Sequence, residues 1–296
     1  MSWLDRIVVA IVFALVSLMI FGNHAPDRGR RPLPPPEARL APVPAPAPPP
    51  VTPERVRRPP LLQPAATDPL FGVDVEVLKS GSVTLGTAFP VDARGVWLTA
   101  RHAANASCQQ LIMVVDGRRM PASIAFLHPD ADLAVVRTAK GAPAVPLSPG
   151  PLAIGDTGRS FGYPTGVLGA TEDTLMGRTR MQLGGRLSGT GATLTWAEDR
   201  RFPDSLETLG GMSGGPMFDD AGRVVGIVVA ASVRRGRVHT VAPEMLADAE
   251  RASGLFTLHG ADAGLREVAG HGDALPGAAA ALEHAARIVK LYCKVR

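Results

Sequence analysis

Residues 210–216 read GGMSGGP, a stretch in which glycines surround one serine, Ser213. Glycine lets the backbone turn sharply without a Cβ clash and lets main-chain donors approach a substrate carbonyl. The N–H groups of Gly211 and Ser213 can then converge on one point and stabilise an oxyanion, while the Ser213 hydroxyl is placed to attack. Taken alone, the stretch could also be a glycine-rich β-turn with an incidental serine.

A nucleophilic serine needs a general base, and residues 97–104, WLTARHAA, offer one. A short apolar strand ends there in a small residue, and His102 stands at the start of the turn that follows. For any single histidine, a purely structural role is the alternative. The six other histidines lack this strand-to-turn setting, so we predict that His102 is the base.

The third member of such a site orients the imidazole and stabilises its cation. Residues 128–136, HPDADLAVV, place Asp132 immediately before an apolar strand. Asp130 is the rival carboxylate and is more typical of a turn, although either could simply cap one. The order His, Asp, Ser along the chain, with short strands between them, favours Asp132.

The composition favours many short elements, because aromatic residues make up only 5% of the 296 residues while Gly and Pro are abundant. From Phe71 onward, short runs rich in Val, Ile, Leu and Thr alternate with turn residues, which predicts an all-β sandwich or barrel and no parallel α/β sheet. The predicted strands cover residues 73–78, 83–89, 97–100, 111–115, 133–137, 158–162, 192–196, 224–231 and 237–240.

Two helices are predicted near the end of the chain. One begins near Pro243, where PEMLADAERA has an early Glu and an apolar stripe. The second covers residues 278–294 and docks on the β-domain through one face that carries Leu282, Ala286, Val289 and Cys293.

Four segments together resemble the trypsin-like, or chymotrypsin-fold, serine peptidases, nearest the bacterial HtrA-like branch: GTAF (86–89), LTARH (98–102), DLAV (132–135) and GMSGGP (211–216). The resemblance covers about residues 71–252. It implies two six-stranded antiparallel β-barrels with the site in the cleft between them. It also implies a catalytic triad of His102, Asp132 and Ser213, an oxyanion hole formed by the N–H groups of Gly211 and Ser213, and no metal or organic cofactor.

The resemblance also indicates where a polypeptide substrate would bind. The segment before the nucleophile, with Glu207, Thr208 and Leu209, should help to form the primary specificity pocket. The following strand, with Val228, Val229 and Ala230, should offer backbone pairing to an extended substrate. Met212 replaces the acidic residue of digestive relatives, so we expect no zymogen activation through that salt bridge, and we expect no PDZ domain after the barrels.

The two cysteines have no metal-ligand spacing, so we expect no zinc site. Cys108 follows shortly after His102, and Cys293 lies in the predicted terminal helix. We predict a disulfide between them that staples this helix across the N-terminal barrel, and two unrelated buried thiols are the alternative.

The N-terminal third predicts a membrane anchor followed by a spacer. Residues 7–22, IVVAIVFALVSLMIFG, form an apolar run of about 24 Å as a helix. We predict a signal anchor over residues 1–25, with a cleaved signal peptide and secretion as the alternative. Three arginines follow the run within ten residues, so the positive-inside rule alone would keep the domain in the cytoplasm. The family resemblance instead favours a single pass of the inner membrane with the domain in the periplasm.

The remaining organisation follows from composition. Residues 26–69 are rich in Pro, Ala and Arg and form an extended disordered linker, because such a stretch cannot build a core. Its arginines account for much of the net charge of +4, and no nucleic-acid-binding motif accompanies them. The sequence therefore predicts a membrane-tethered serine endopeptidase domain over residues 70–252 and an extension over 253–296. A catalytically silent or latent barrel that serves as a binding or sensor module is the alternative.

Overall fold

The computed structural model describes residues 59–61, 63–76, 78–147, 151–258, 265 and 274–296. The predicted anchor at residues 7–22 lies outside these ranges, as does most of the predicted linker. Within the described ranges, no helix is long and apolar enough to cross a membrane.

Most described residues belong to β-strands, which confirms the predicted all-β class. The strands are β1 Leu70–Val75, β2 Val83–Asp92, β3 Val96–Thr99, β4 Cys108–Val115, β5 Arg118–Leu127, β6 Ala134–Thr138, β7 Thr157–Gly162, β8 Gly169–Gly185, β9 Gly189–Phe202, β10 Pro216–Phe218, β11 Val224–Ser232, β12 Arg237–Val241 and β13 Val289–Val295. The helices are α1 Pro243–Ser253, which confirms the helix predicted near Pro243, and α2 Leu275–His284.

Every predicted strand overlaps an observed one, but four observed strands were not predicted. They are β5, β8, β10 and β13. In β5 the internal Pro121 argues against a strand, and β8 contains a polar stretch, TEDT, that lacks the apolar enrichment of its neighbours. Both strands form because long-range pairing, which a local pattern does not report, satisfies their backbones.

The first six-stranded unit is a closed antiparallel barrel with the order β13-β2-β3-β6-β5-β4. Its strands bury large side chains, and Phe89, Trp97, Leu98 and Met113 are fully enclosed. The one polar edge of Trp97 is satisfied, since its indole N–H donates to the Thr138 hydroxyl at 2.8 Å. This barrel therefore has a dry, closely packed core.

The prediction of one helix over residues 278–294 is wrong in its second half. The alanine-rich part is helical as far as His284, and Ala286 then adopts a left-handed backbone with φ of 51°. Beyond it, VKLYCKV alternates buried and more exposed side chains with a period of two, the pattern of a strand. This segment is β13, which pairs antiparallel with β2 on one side and β4 on the other.

A disulfide joins Cys108 at the start of β4 to Cys293 in β13, with Cα atoms 5.2 Å apart and 185 residues between them in sequence. It thus connects two paired strands of the first barrel and does not hold a docked helix. Of the described cysteines, neither is a free thiol.

The second unit is a seven-stranded sheet with the order β1-β8-β7-β10-β11-β12-β9, in which β8 also pairs with β9. All pairs are antiparallel except β1–β8, which is parallel. A second hydrophobic cluster lies within it, centred on Trp196, whose indole N–H donates to the Thr240 hydroxyl at 2.9 Å. The structure shows this unit as a seven-stranded sheet, and the second six-stranded barrel stays a prediction.

Two carboxylates face each other within this sheet. Asp173 on β8 is the register partner of Glu198 on β9. One oxygen of each, Oδ1 of Asp173 and Oε2 of Glu198, is buried without a hydrogen-bond partner among the described residues. Burial raises the pKa of Asp173 well above its usual range, and the nearby charge of Glu198 acts in the same direction, against a hydrogen bond from Thr171.

We expect Asp173→Asn to stabilise the protein at alkaline pH and to have little effect near pH 4. The native state holds the Asp173 proton to a higher pH than the unfolded chain, so the free energy of unfolding falls as the pH rises from the usual pKa of 3.8 towards the raised one. Asparagine carries no charge and removes that loss. Urea unfolding of both proteins between pH 4 and pH 9 measures the effect. The control is Asp204→Asn, a change at an exposed carboxylate, and parallel curves for parent and Asp173→Asn would contradict the prediction.

Candidate active site

The serine-containing turn lies in the connection between β9 and β10, and its glycines are sterically required. Gly211 and Gly214 have φ of 105° and 91°, in the left-handed region. A Cβ on Gly211 would lie 2.4 Å from the Tyr163 carbonyl oxygen, and one on Gly214 would lie 2.0 Å from that of Thr87. No other residue fits at either position without displacing backbone.

Two strands hold this turn from opposite sides. From β2, the Thr87 N–H donates to the Ser213 carbonyl and the Thr87 hydroxyl donates to the Gly211 carbonyl, both at 2.8 Å. On the other side, the Gly214 N–H donates to the Val228 carbonyl at 2.8 Å, and the Val228 N–H donates to the Gly215 carbonyl at 2.9 Å. Ser213 is therefore fixed between the first barrel and the second sheet, and it remains partly exposed.

Two main-chain N–H groups in the turn have no acceptor within the part of the chain that the structure describes. Among the described residues, neither the Gly211 N–H nor the Ser213 N–H donates to a protein acceptor, whereas the intervening Met212 N–H donates to the Leu209 carbonyl at 3.0 Å. The Thr165 N–H donates to the Gly210 carbonyl at 2.7 Å and so fixes the peptide before Gly211. Buried main-chain donors are normally satisfied, so this pair suits an oxygen supplied by a ligand.

Two hydrogen bonds join Asp132 to His102. Asp132 Oδ2 lies 2.6 Å from His102 Nδ1, and Asp132 Oδ1 accepts the His102 backbone N–H at 2.8 Å. The Asp132 side chain is 1% exposed, while the imidazole is 25% exposed. An ionised carboxylate only accepts hydrogen bonds, so Nδ1 carries the proton of the neutral ring, and Nε2 keeps its lone pair as a base.

The electrostatics of the ring follow from this pairing. Burial opposes the charged form of His102, but the charge of Asp132 and its hydrogen bond more than offset burial, so the pKa of His102 is raised above its ordinary value of 6.5. The imidazolium is therefore stabilised where it would form during proton transfer. Among the described residues, no hydrogen bond links the Ser213 hydroxyl to His102.

The rival carboxylate, Asp130, is exposed and belongs to the turn before Asp132. Sequence reasoning overlooked the residue that shapes this turn, His128. The buried His128 ring accepts the Ala131 N–H at 2.9 Å and the Asp130 N–H at 3.2 Å through Nδ1, and its Nε2 lies 3.1 Å from Asp248 Oδ2. The local sequence carries a signal for this role, since His128 directly precedes Pro-Asp in a turn.

Sequence reasoning also overlooked Arg101, which helps to hold the loops around the site. Its Nη1 donates to the carbonyl oxygens of His128, Pro129 and Ser188, at 3.1, 2.9 and 3.0 Å. The residue beside His102 thus fastens the Asp132 turn and the β8–β9 connection to the strand end that carries the imidazole. Its position next to His102 was the only sequence signal for this role.

The predicted substrate-binding residues divide into two groups. Leu209, Val228 and Val229 are buried, and Ala230 is partly buried on β11, which leads away from the serine turn. Glu207 and Thr208 are exposed, and the Thr208 hydroxyl accepts the Gly210 N–H at 3.1 Å. Glu207 therefore lies at the surface.

No group of three or more His, Cys, Asp or Glu side chains within the described ranges could hold a metal ion. The site contains the Ser213 hydroxyl, the imidazole of His102 oriented by a carboxylate, and two main-chain N–H donors. Such a set suits transfer of an acyl group.

Residues 86–227 match the family described as "Trypsin-like peptidase domain". An uncharacterised protein of Sinorhizobium fredii, y4bJ, is 28% identical over 155 residues, which are 51% of this chain and 23% of that protein. The chain thus spans about a quarter of the length of this curated relative.

Solved structures were also found to be similar. The inactive form of the Rv3671c protease of M. tuberculosis is 21% identical, with a TM-score of 0.47, over 58% of this chain and 88% of that one. The HtrA-type protease AlgW with a decapeptide is 28% identical, with a TM-score of 0.46, over 56% of this chain and 50% of that one.

Proposed function

Since residues 86–227 are a trypsin-like peptidase domain, the domain of a serine endopeptidase, we propose that this chain hydrolyses peptide bonds through an acyl-enzyme. The observation that carries the proposal is the double hydrogen bond by which Asp132 holds His102, beside a glycine turn that is anchored on both sides of Ser213.

The proposed mechanism gives each residue one role. Ser213 Oγ bonds to the substrate carbonyl carbon while its proton passes to His102 Nε2, and the Gly211 and Ser213 N–H groups bind the resulting oxyanion. The C–N bond then breaks as His102 returns the proton to the leaving amine. Water repeats the sequence on the ester and releases the acid. Asp132 keeps the proton on Nδ1 throughout and stabilises the imidazolium.

We further propose that the second sheet is the second barrel of a two-barrel peptidase. Support comes from the pairing series β8-β7-β10-β11-β12-β9, which returns to β8 through the β8–β9 pair and contains six strands. The nucleophile turn then lies between the two barrels, where the resemblance to trypsin-like peptidases predicts the cleft. In this arrangement β1 is an addition to the edge of the β8–β9 ribbon.

We also propose that residues 7–22 tether the domain to the inner membrane, with the domain in the periplasm. The part of the predicted linker before Pro59 would be the spacer, because Pro59–Leu61 are hydrogen-bonded to Leu152–Ile154. The length and apolarity of the run support an anchor, and the Cys108–Cys293 disulfide is compatible with an oxidising compartment. The alternative, cleavage and secretion, predicts a processed N-terminus. A compartment-sensitive reporter fused after Arg296 and N-terminal sequencing of the mature protein distinguish these arrangements.

The decisive experiment is labelling of the full chain with a fluorophosphonate probe. An activated Ser213 Oγ bonds to phosphorus, fluoride leaves, and His102 accepts the proton. We expect the parent to be labelled and both Ser213→Ala and His102→Ala to remain unlabelled. Ser205→Ala, a substitution in the exposed loop before the nucleophile, should label like the parent. A folded parent that resists the probe would favour the silent or latent barrel over the enzyme.

A further inference from the structure

A groove of about 440 Å³ lies between the N-terminal strand β1 and the end of β11. We call it the Phe71 groove. The residues that matter for its chemistry are Phe71, Ala230, Ala231, Arg235, Arg237 and His239. One of its walls, Phe71, comes from a strand that precedes the matched peptidase domain, so the family of that domain does not account for it.

The position of the groove relative to Ser213 follows from β11. Val228 is hydrogen-bonded to both Gly214 and Gly215, next to the nucleophile. Ala230 and Ala231 follow two and three residues later, about 7–10 Å along the strand. A peptide that pairs antiparallel with β11 runs towards Ser213, so the residues before its cleaved bond would lie at the groove.

The inner part of the groove is apolar and preformed. The Phe71 ring lies against the His239 ring, with centroids 4.2 Å apart and an interplanar angle of 32°. His239 is held in place by Thr195, whose hydroxyl lies 3.0 Å from Nδ1. Ala230, the register partner of His239, has only a methyl side chain, so space is left beside the two rings. A medium-sized apolar side chain fits this environment.

The outer part of the groove is basic. Arg235 is exposed at the end of the turn after β11, and Arg237 is oriented by hydrogen bonds from Nη1 to the carbonyls of Arg235 and Gly236, at 3.1 and 3.0 Å. No Asp or Glu lines the groove, and neither arginine has an ion-pair partner in the described ranges. Burial and Arg237 lower the pKa of His239 to about 4, so the ring is neutral at pH 7 and the positive field comes from the arginines.

We propose that the Phe71 groove is a substrate subsite that selects an apolar side chain together with an acidic residue on the N-terminal side of the cleaved bond. The inference rests on the proposed peptidase function and adds a substrate class to it: polypeptides with acidic residues upstream of the cleavage position. Each favourable charge contact at such an exposed site is worth up to about fivefold in kcat/KM.

The test is cleavage of a peptide library by the full chain, with cleavage sites identified by mass spectrometry. The parent should enrich Asp and Glu about two- to fivefold at the third to fifth positions before the cleaved bond. Arg235→Glu should abolish this enrichment or exchange it for Lys and Arg. The matched control is Arg118→Glu, an equal charge change at the exposed start of β5. Phe71→Ala should reduce the apolar preference, with its melting temperature measured as a check on folding.

A binding measurement separates this inference from the proposed function. Fluorescein-labelled pools of otherwise random peptides, with either Glu or Gln fixed upstream of one central residue, are titrated into the Ser213→Ala variant and followed by anisotropy. Tighter binding of the Glu pool, lost on adding Arg235→Glu, supports the subsite even if the parent fails to react with fluorophosphonate. Equal affinities for both pools overturn the subsite, including the case of a parent that is fully active.

Discussion

Asp132→Asn is expected to lower kcat by about ten-thousandfold at neutral pH while leaving the fold and KM nearly unchanged. Asparagine can keep the hydrogen bond to the His102 backbone N–H through its carbonyl oxygen, but its amide group would then face Nδ1 as a donor. The ring would adopt the other tautomer, with the proton on Nε2, and could no longer accept the Ser213 proton. The loss of the carboxylate also removes the charge that raises the pKa of His102.

Steady-state hydrolysis of a peptide substrate across pH 5–10 measures both effects. The acid limb of kcat/KM in the parent should lie above the ordinary histidine pKa of 6.5, because protonated His102 cannot act as a base. The control is Asp130→Asn, which changes a neighbouring exposed carboxylate and should retain the parental rate. An Asp132→Asn variant within tenfold of the parent would show that this carboxylate does not set the tautomer of His102.

Deletion of residues 285–296 is expected to abolish cooperative folding of the first barrel. The deletion removes β13, whose Val289, Leu291 and Val295 side chains are buried in that barrel. Their burial is worth about 5–9 kcal/mol in total, which is comparable to the whole stability of a typical domain. It also removes the Cys108–Cys293 disulfide and leaves the facing edges of β2 and β4 without partners.

Circular dichroism melting and amide hydrogen exchange of the truncated chain report this loss. Exchange should accelerate throughout β2–β6. Lys294→Ala provides the control, because that side chain is exposed on the same strand and its removal should leave the melting curve intact. Addition of a synthetic peptide of residues 285–296 should restore protection in part. A truncated chain that melts cooperatively at the parental temperature would contradict the assigned role of β13.

The short buried strands could be predicted from the sequence, because each is marked by an apolar run between turn residues. The strands at residues 97–100 and 224–231 are short apolar runs between turn residues, and their burial on both faces explains why a simple run was sufficient. The local patterns placed His102, Asp132 and Ser213 at strand ends or turns, and their order along the chain favoured Asp132. The structure brings His102 and Asp132 into contact. Their proposed joint role in catalysis stays a prediction.

The errors came from contacts between segments that are distant in sequence. The period of two in residues 289–295 was available, but the preceding alanines and a coincident helical spacing of Leu282, Ala286 and Cys293 concealed it. The parallel pairing of β1 with β8 has no local signal at all, since it joins Leu70 to Arg180. The supporting roles of His128 and Arg101 depend on loops that meet only after folding.

The path of the chain through the first barrel has a consequence for synthesis. Because β13 separates β2 from β4, the barrel that carries His102 and Asp132 cannot close while residues 289–295 are still inside the ribosome or a translocation channel. The nascent polypeptide therefore displays its nucleophile segment well before the base is held in its final environment. If the proposed mechanism holds, a chain built in this order would gain hydrolytic activity only after residues 289–295 had emerged and the first barrel had closed.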